Sequence, residues 1–125
     1  MKRIISLALV CIMLLGCVFA LASCGKSYKN PEEAVEILEE EGYIVYLNEF
    51  KNYIYAYYNN VHEKAFEEIE IFYYSDEDAA EKAWETLEAQ LKAKADAKDE
   101  NYQYSYGIDG SLIYYGTKAA IKAAK

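Results

Sequence analysis

The chain has 125 residues and carries 21 acidic side chains against 13 lysines and arginines, a net charge of −8. This length suits one domain with a modest core, and the acidity disfavours nucleic acid, whose phosphates call for lysine and arginine. All three cysteines lie at or before residue 24, so no disulfide can form within the chain that follows.

Met1-Lys2-Arg3 is positively charged and residues 4–22 are almost wholly apolar, the pattern of an export signal. Leu21-Ala22-Ser23-Cys24 closes that run, and Gly25-Lys26-Ser27 follows. A Gly-Lys-Ser ending also belongs to phosphate-binding loops. Such a loop needs a glycine where Ala20 stands, and an opening helix where Ser27-Tyr28-Lys29-Asn30-Pro31 stands. The order of positive start, apolar run and small residues before a cysteine instead resembles the signal and lipobox of bacterial lipoproteins. That resemblance implies cleavage before Cys24 and a diacylglyceryl group on its sulfur. Two acyl chains hold a protein stably on a bilayer where one does not. Leu14-Leu15-Gly16-Cys17 offers a second lipobox, with a bulky Leu15, and cutting there leaves Val18-Phe19-Ala20-Leu21-Ala22 exposed. The third reading is an uncleaved anchor, since residues 4–22 as a helix span ~28 Å.

The organisation expected from these signals is a signal peptide over residues 1–23, a lipidated tether over 24–30 and one domain over 31–125. Losing Lys2 and Arg3 with the signal leaves 11 basic against 21 acidic residues, a net charge of about −10 on the mature chain. The tether from Gly25 to Asn30 spans at most ~20 Å, which keeps the domain close to the membrane.

Asn30-Pro31-Glu32-Glu33 opens a helix: asparagine caps, proline suits the first turn, and Glu33 can return to the cap. Ala34, Ile37 and Leu38 form its apolar stripe, and Gly42 stops it after Glu41. Tyr43–Leu47 and Tyr53–Tyr58 are rich in strand formers, and Asn59-Asn60 marks a turn. Residues 61–66 read as a loop leading into a strand, Glu68–Tyr74, whose Ile69, Ile71 and Tyr73 share a face. Ser75-Asp76-Glu77-Asp78 caps the longest helix, lined by Ala80, Ala83, Trp84, Leu87 and Leu91 and fading near Ala95 to Lys98. A charged linker over 96–101 leads to alternating Tyr102–Tyr106, a turn at Gly107-Ile108-Asp109-Gly110, and a strand from Ser111 to Tyr115. Gly116-Thr117 ends that strand and caps a short helix, Lys118–Ala124.

The predicted order is α-β-β-β-α-β-β-α, which points to an α+β class: a small two-layer sandwich with a mainly antiparallel sheet and helices on one face. The stretches IEIFYYSDEDAAEKAW and LIYYGTKAAIKAAK resemble small lipoproteins of Gram-positive bacteria, a resemblance that implies no activity.

Chemistry-bearing patterns are few. His62, the single histidine, lies in the 61–66 segment beside Glu63, and Ser75, Ser105 and Ser111 stand in no nucleophile motif. The acids Glu67, Glu68 and Glu70 alternate in part on a strand, and no spaced-oxygen calcium loop is present. No metal, cofactor or catalytic residue is expected. Tyrosine is the unusual feature, with 14 copies, all after the signal. Tyr53, Tyr55 and Tyr57 recur at period two, as do Tyr102, Tyr104 and Tyr106. Opposite the second triplet stand Gln103 and Ser105, so those tyrosines are expected to point inward. Opposite the first stand Ile54 and Ala56, so Tyr53, Tyr55 and Tyr57 are expected on the open face, with Phe72 or Tyr74 adjacent. Tyrosines suit peptide or sugar contacts, and they also pair across half-exposed sheets as packing. The function expected is a lipid-anchored extracytoplasmic domain, held at the cell membrane through Cys24, that binds or supports other envelope components, protein or glycan, without catalysis. A small-ligand or glycan binder using the same tyrosines is the alternative.

Overall fold

A computed structural model of the chain describes residues 26–60, 65–98 and 103–125. Among these, helix α1 spans Pro31–Glu40, followed by strands β1 (Ile44–Leu47), β2 (Tyr53–Asn60) and β3 (Ala65–Tyr73). Helix α2 spans Glu77–Asp96, then come β4 (Tyr104–Asp109), β5 (Leu112–Thr117) and helix α3 (Lys118–Ala124). The strands form a single antiparallel sheet in the order β1-β2-β3-β5-β4. The α+β class and the element order are those expected.

The helix starts follow from their caps. The Asn30 side chain accepts from the backbone N–H groups of Glu32 and Glu33, at 3.0 and 3.3 Å. Glu33 does not return to that cap; its carboxylate accepts from the Ser27 N–H at 3.2 Å. Asp76 caps α2 through the Ala79 N–H at 2.7 Å, and the Thr117 hydroxyl caps α3 through the Ala120 N–H. Gly42 ends α1 at a φ of +91°, a left-handed conformation that glycine adopts freely.

Helices cover both faces of the sheet rather than the single face expected. On one face, Ala34 and Leu38 of α1 and Ala120, Ile121 and Ala124 of α3 pack on Ile54, Ala56, Ile69, Ile71 and Leu112. On the other, Leu91, Trp84, Leu87 and Ala83 of α2 pack on Ile113, Tyr115, Tyr104, Tyr106 and Ile108. Strand β5 lies under both layers, so Leu112, Ile113 and Tyr115 are all buried although they alternate in direction. A single-face arrangement would leave the apolar stripe of α2 with nothing to cover.

Boundaries differ where backbone pairing outweighs local composition. Asn59 and Asn60 extend β2 opposite Phe66 and Ala65 instead of forming a turn. Gly107, Ile108 and Asp109 remain in β4, paired with Tyr114, Ile113 and Leu112, and the turn is Gly110-Ser111. Gly110 carries the positive φ, +62°, at the first turn position, where type II′ hairpins place glycine. Lys26 to Asn30, expected as tether, are docked on the domain. Tyr28 is 6% exposed and donates to the Asp109 carboxylate, while the Tyr73 hydroxyl donates to the Tyr28 carbonyl. The expected signal, Cys17 and Cys24 lie outside the described residues, as do His62, Glu63 and Tyr102.

Candidate functional site: a tyrosine and carboxylate face

The register of β1, β2 and β3 decides which tyrosines meet. Tyr46 pairs with Tyr55 and Ile44 with Tyr57, while Tyr53, Tyr55 and Tyr57 lie opposite Phe72, Glu70 and Glu68. Because Ile54 and Ala56 point into the α1 and α3 core, the three tyrosines between and beside them point to the other face. They are half-exposed, and Tyr46 and Ile44 beyond them are 58% and 51% exposed. Tyr46 and Tyr57 stack with ring centres 6.3 Å apart and 15° between planes. Tyr55 and Tyr57 lie 6.0 Å apart, and Tyr53 meets Phe72 at 5.2 Å. The result is a strip of rings along the β1 and β2 end of the face, beside the part that α2 covers.

A row of two carboxylates separates the strip from α2. The Glu68 carboxylate accepts from the hydroxyls of Tyr55 at 2.9 Å and Tyr104 at 2.6 Å, and pairs with Lys98 at 3.6 Å. Glu70 accepts from the Tyr53 hydroxyl at 2.7 Å and from Lys94 at 2.7 Å. Lys94 also sits 4.6 Å above the Tyr115 ring, and Lys98 lies 5.4 Å from that of Tyr104. The strip, the carboxylates and the last turns of α2 are therefore one connected network.

Electrostatics fix the protonation of this network. Burial acts to raise the Glu68 carboxyl, but the Tyr104 and Tyr55 hydroxyls and Lys98 outweigh it and hold the group below its ordinary value. Burial, then the bond to Glu68, pushes the Tyr55 phenol up to about 12. Burial and the carboxylates likewise raise Tyr53 and Tyr104. At neutral pH Glu68 is thus a carboxylate accepting from protonated phenols. Both acids have their oxygens engaged by phenols and lysines, which suits a rigid contact surface. The Tyr115 hydroxyl, buried beneath Lys94, has no hydrogen-bond partner among the described residues.

The expected site residues are partly united. Tyr53, Tyr55, Tyr57 and Phe72 share the face, Phe72 at its inner margin in the α2 cluster. Tyr74 follows β3 and packs in that cluster with Trp84, away from the open strip. Tyr104 and Tyr106 point under α2, as expected of the second triplet. Glu68 and Glu70, read from sequence only as alternating acids on a strand, complete the surface with Tyr46, Lys94 and Lys98, which the sequence does not single out. Alternation in Ile44-Val45-Tyr46-Leu47 carried a signal for Tyr46, but only the register puts it beside Tyr57. Among the described residues no group of three or more His, Cys, Asp or Glu side chains is arranged to hold a metal, and no helix is long and apolar enough to cross a membrane.

Comparison of the chain with protein-family models, curated proteins and solved structures finds no match.

Proposed function

We propose that this protein is a lipid-anchored extracytoplasmic domain that contacts another component of the cell envelope through the Tyr46, Tyr53, Tyr55 and Tyr57 face, with no chemistry of its own. The observation that supports this most is the unequal cover of one sheet face. Helix α2 packs over β4 and β5, while the strip on β1 and β2 stays open, with Tyr46 58% exposed. Tyrosine supplies large contact area with little loss of side-chain freedom, and the carboxylates hold the hydroxyls of Tyr53 and Tyr55 in place before any partner arrives. The anchor in this reading is the diacylglyceryl group on Cys24, and the partner is an envelope protein.

The test is capture by the mature chain of detergent-solubilised envelope proteins and, separately, of cell-wall glycan fragments. The Tyr46→Ser/Tyr57→Ser variant runs beside it. Protein capture lost in the variant supports the reading. Capture of glycan alone moves the function to sugar binding, and equal capture by both chains removes the face from the function. Fatty-acid labelling that persists in Cys24→Ala would defeat the anchor.

A further inference from the structure

If Cys24 is the lipidated residue, as the proposed function holds, the docked segment that follows it fixes which side of the domain meets the bilayer. Lys26 stands two residues after Cys24, so their Cα atoms lie within ~7 Å of each other. Lys26 is held on the outer surface of α1, with ion pairs to Glu36 at 3.1 Å and Glu40 at 3.0 Å. Ser27 and buried Tyr28 continue that attachment. The chain therefore leaves the domain toward its anchor on the α1 side.

Lys26 also lines a cleft of about 550 Å³ between α1 and α3. Ile37, Ala119 and Ala123 form its apolar floor, Glu40 and Glu41 stand on one wall, and Lys122 and Lys125 on the other. Helix α3 and the residue after it carry Lys118, Lys122 and Lys125 and no acid. Lys125 lies 4.8 Å from the Tyr114 ring. Lys118 and Lys122, four residues apart and so neighbours on the helix surface, are exposed and make no ion pair among the described residues.

Charge is also unevenly spread. The six glutamates of residues 32–41, Glu67 and Asp109 stand on this side against Lys26, Lys29, Lys51, Lys118, Lys122 and Lys125, a net charge of about −2, while the mature chain as a whole carries about −10. The α1 and α3 side thus carries a small share of the negative charge, and the remainder holds most of the charge that an anionic bilayer repels.

We infer that the α1 and α3 face lies on the bilayer, with Lys118 and Lys122 contacting the phosphates of anionic lipid headgroups at the mouth of the α1–α3 cleft. The tyrosine strip, on the opposite face of the sheet, then points away from the membrane and toward partners.

The mature chain coupled through Cys24 to a maleimide lipid in vesicles tests this, because the coupling does not depend on cells acylating that cysteine. Failed acylation in cells and failed orientation are thereby separable. Lysines are acetylated with a water-soluble reagent and located by mass spectrometry on vesicles of phosphatidylcholine with or without phosphatidylglycerol. The expected result is a several-fold loss of labelling at Lys118 and Lys122, larger with phosphatidylglycerol, and no loss at Lys82 and Lys92 on α2. The Lys118→Gln/Lys122→Gln pair, read at Lys125, should lose the dependence on phosphatidylglycerol. Equal labelling of both sets, protection of α2 instead, or indifference to phosphatidylglycerol would overturn the inference. Protection by inorganic phosphate without vesicles would also overturn it, in favour of a free-phosphate site.

Discussion

The two faces of the sheet are built from similar strands and end in different conditions. One is closed by α1 and α3 over aliphatic side chains that include Ile54, Ile69, Ile71 and Leu112, all fully buried. The other is closed only over β4 and β5, and gives way at Glu68 and Glu70 to a strip of tyrosines. The closed face derives its stability from excluded water and close packing, which a small change in volume disrupts. The open strip rests on phenol–carboxylate bonds and ring contacts, each worth less and each replaceable by water. The same sheet therefore tolerates change very differently on its two sides.

The largest effect is expected at Gly116. A Cβ there would lie 2.4 Å from the Glu68 carbonyl oxygen and 2.8 Å from the Ile69 Cα, both backbone atoms that cannot step aside. Gly116→Val should prevent folding, and Gly116→Ala should cost about 3 kcal/mol, at the upper end of overpacking effects. At Gly107 the nearest atoms belong to the end of the Tyr114 side chain, at 2.5 Å. Gly107→Ala should therefore cost clearly less, because a phenol can shift where a backbone cannot. Denaturant midpoints that rank the two alanine variants the other way would contradict this account of the β3–β5 contact.

An intermediate effect is expected at the boundary between the closed and open parts. Glu68→Gln keeps the shape but removes the charge that Tyr55, Tyr104 and Lys98 satisfy. The loss at neutral pH should be about 1–3 kcal/mol. The Glu68 carboxyl is held below its ordinary value in the folded state. Its contribution is therefore complete above the unfolded value of about 4.3 and disappears as pH falls through the lower folded value. Unfolding curves of the two chains should be well separated at neutral pH and converge in acid. A separation unchanged below pH ~3 would show that Glu68 acts through packing rather than charge.

The contrast between the faces also explains what could be read from sequence. Period-two alternation assigned Tyr53, Tyr55 and Tyr57 to the side away from Ile54 and Ala56, because side-chain direction in a strand is a local property. Which face α2 covers is not local. A signal for it was nevertheless present in the unbroken Leu112-Ile113-Tyr114-Tyr115 run, since a strand apolar in both directions is one covered on both sides. The carboxylate row was hidden for another reason. Glu68 and Glu70 look like solvent-facing alternates until Tyr104, Lys94 of α2 and Lys98 just beyond it arrive from sequence distances of 24 to 36 residues. Tyr28 likewise looks like a linker residue until Asp109 and Tyr73, distant in sequence, enclose it.

The smallest effect on stability, and the largest expected on binding, belongs to the outer end of the strip. Tyr46 is 58% exposed and its main ring contact is the stack with Tyr57. Neither tyrosine carries the phenol–carboxylate bonds that tie Tyr53 and Tyr55 to β3. Replacing Tyr46 and Tyr57 by serine removes one stacked pair from a surface already wet, and should change stability by no more than ~1 kcal/mol. Replacing Tyr53 and Tyr55 instead would strip two donors from half-buried carboxylates and cost more. If thermal unfolding shows the Tyr46/Tyr57 variant to be as destabilised as the Tyr53/Tyr55 one, the outer strip is part of the sheet's own packing. If only the inner pair matters, the outer rings are dispensable to the fold. That outcome would leave the two rings free for the contact proposed above.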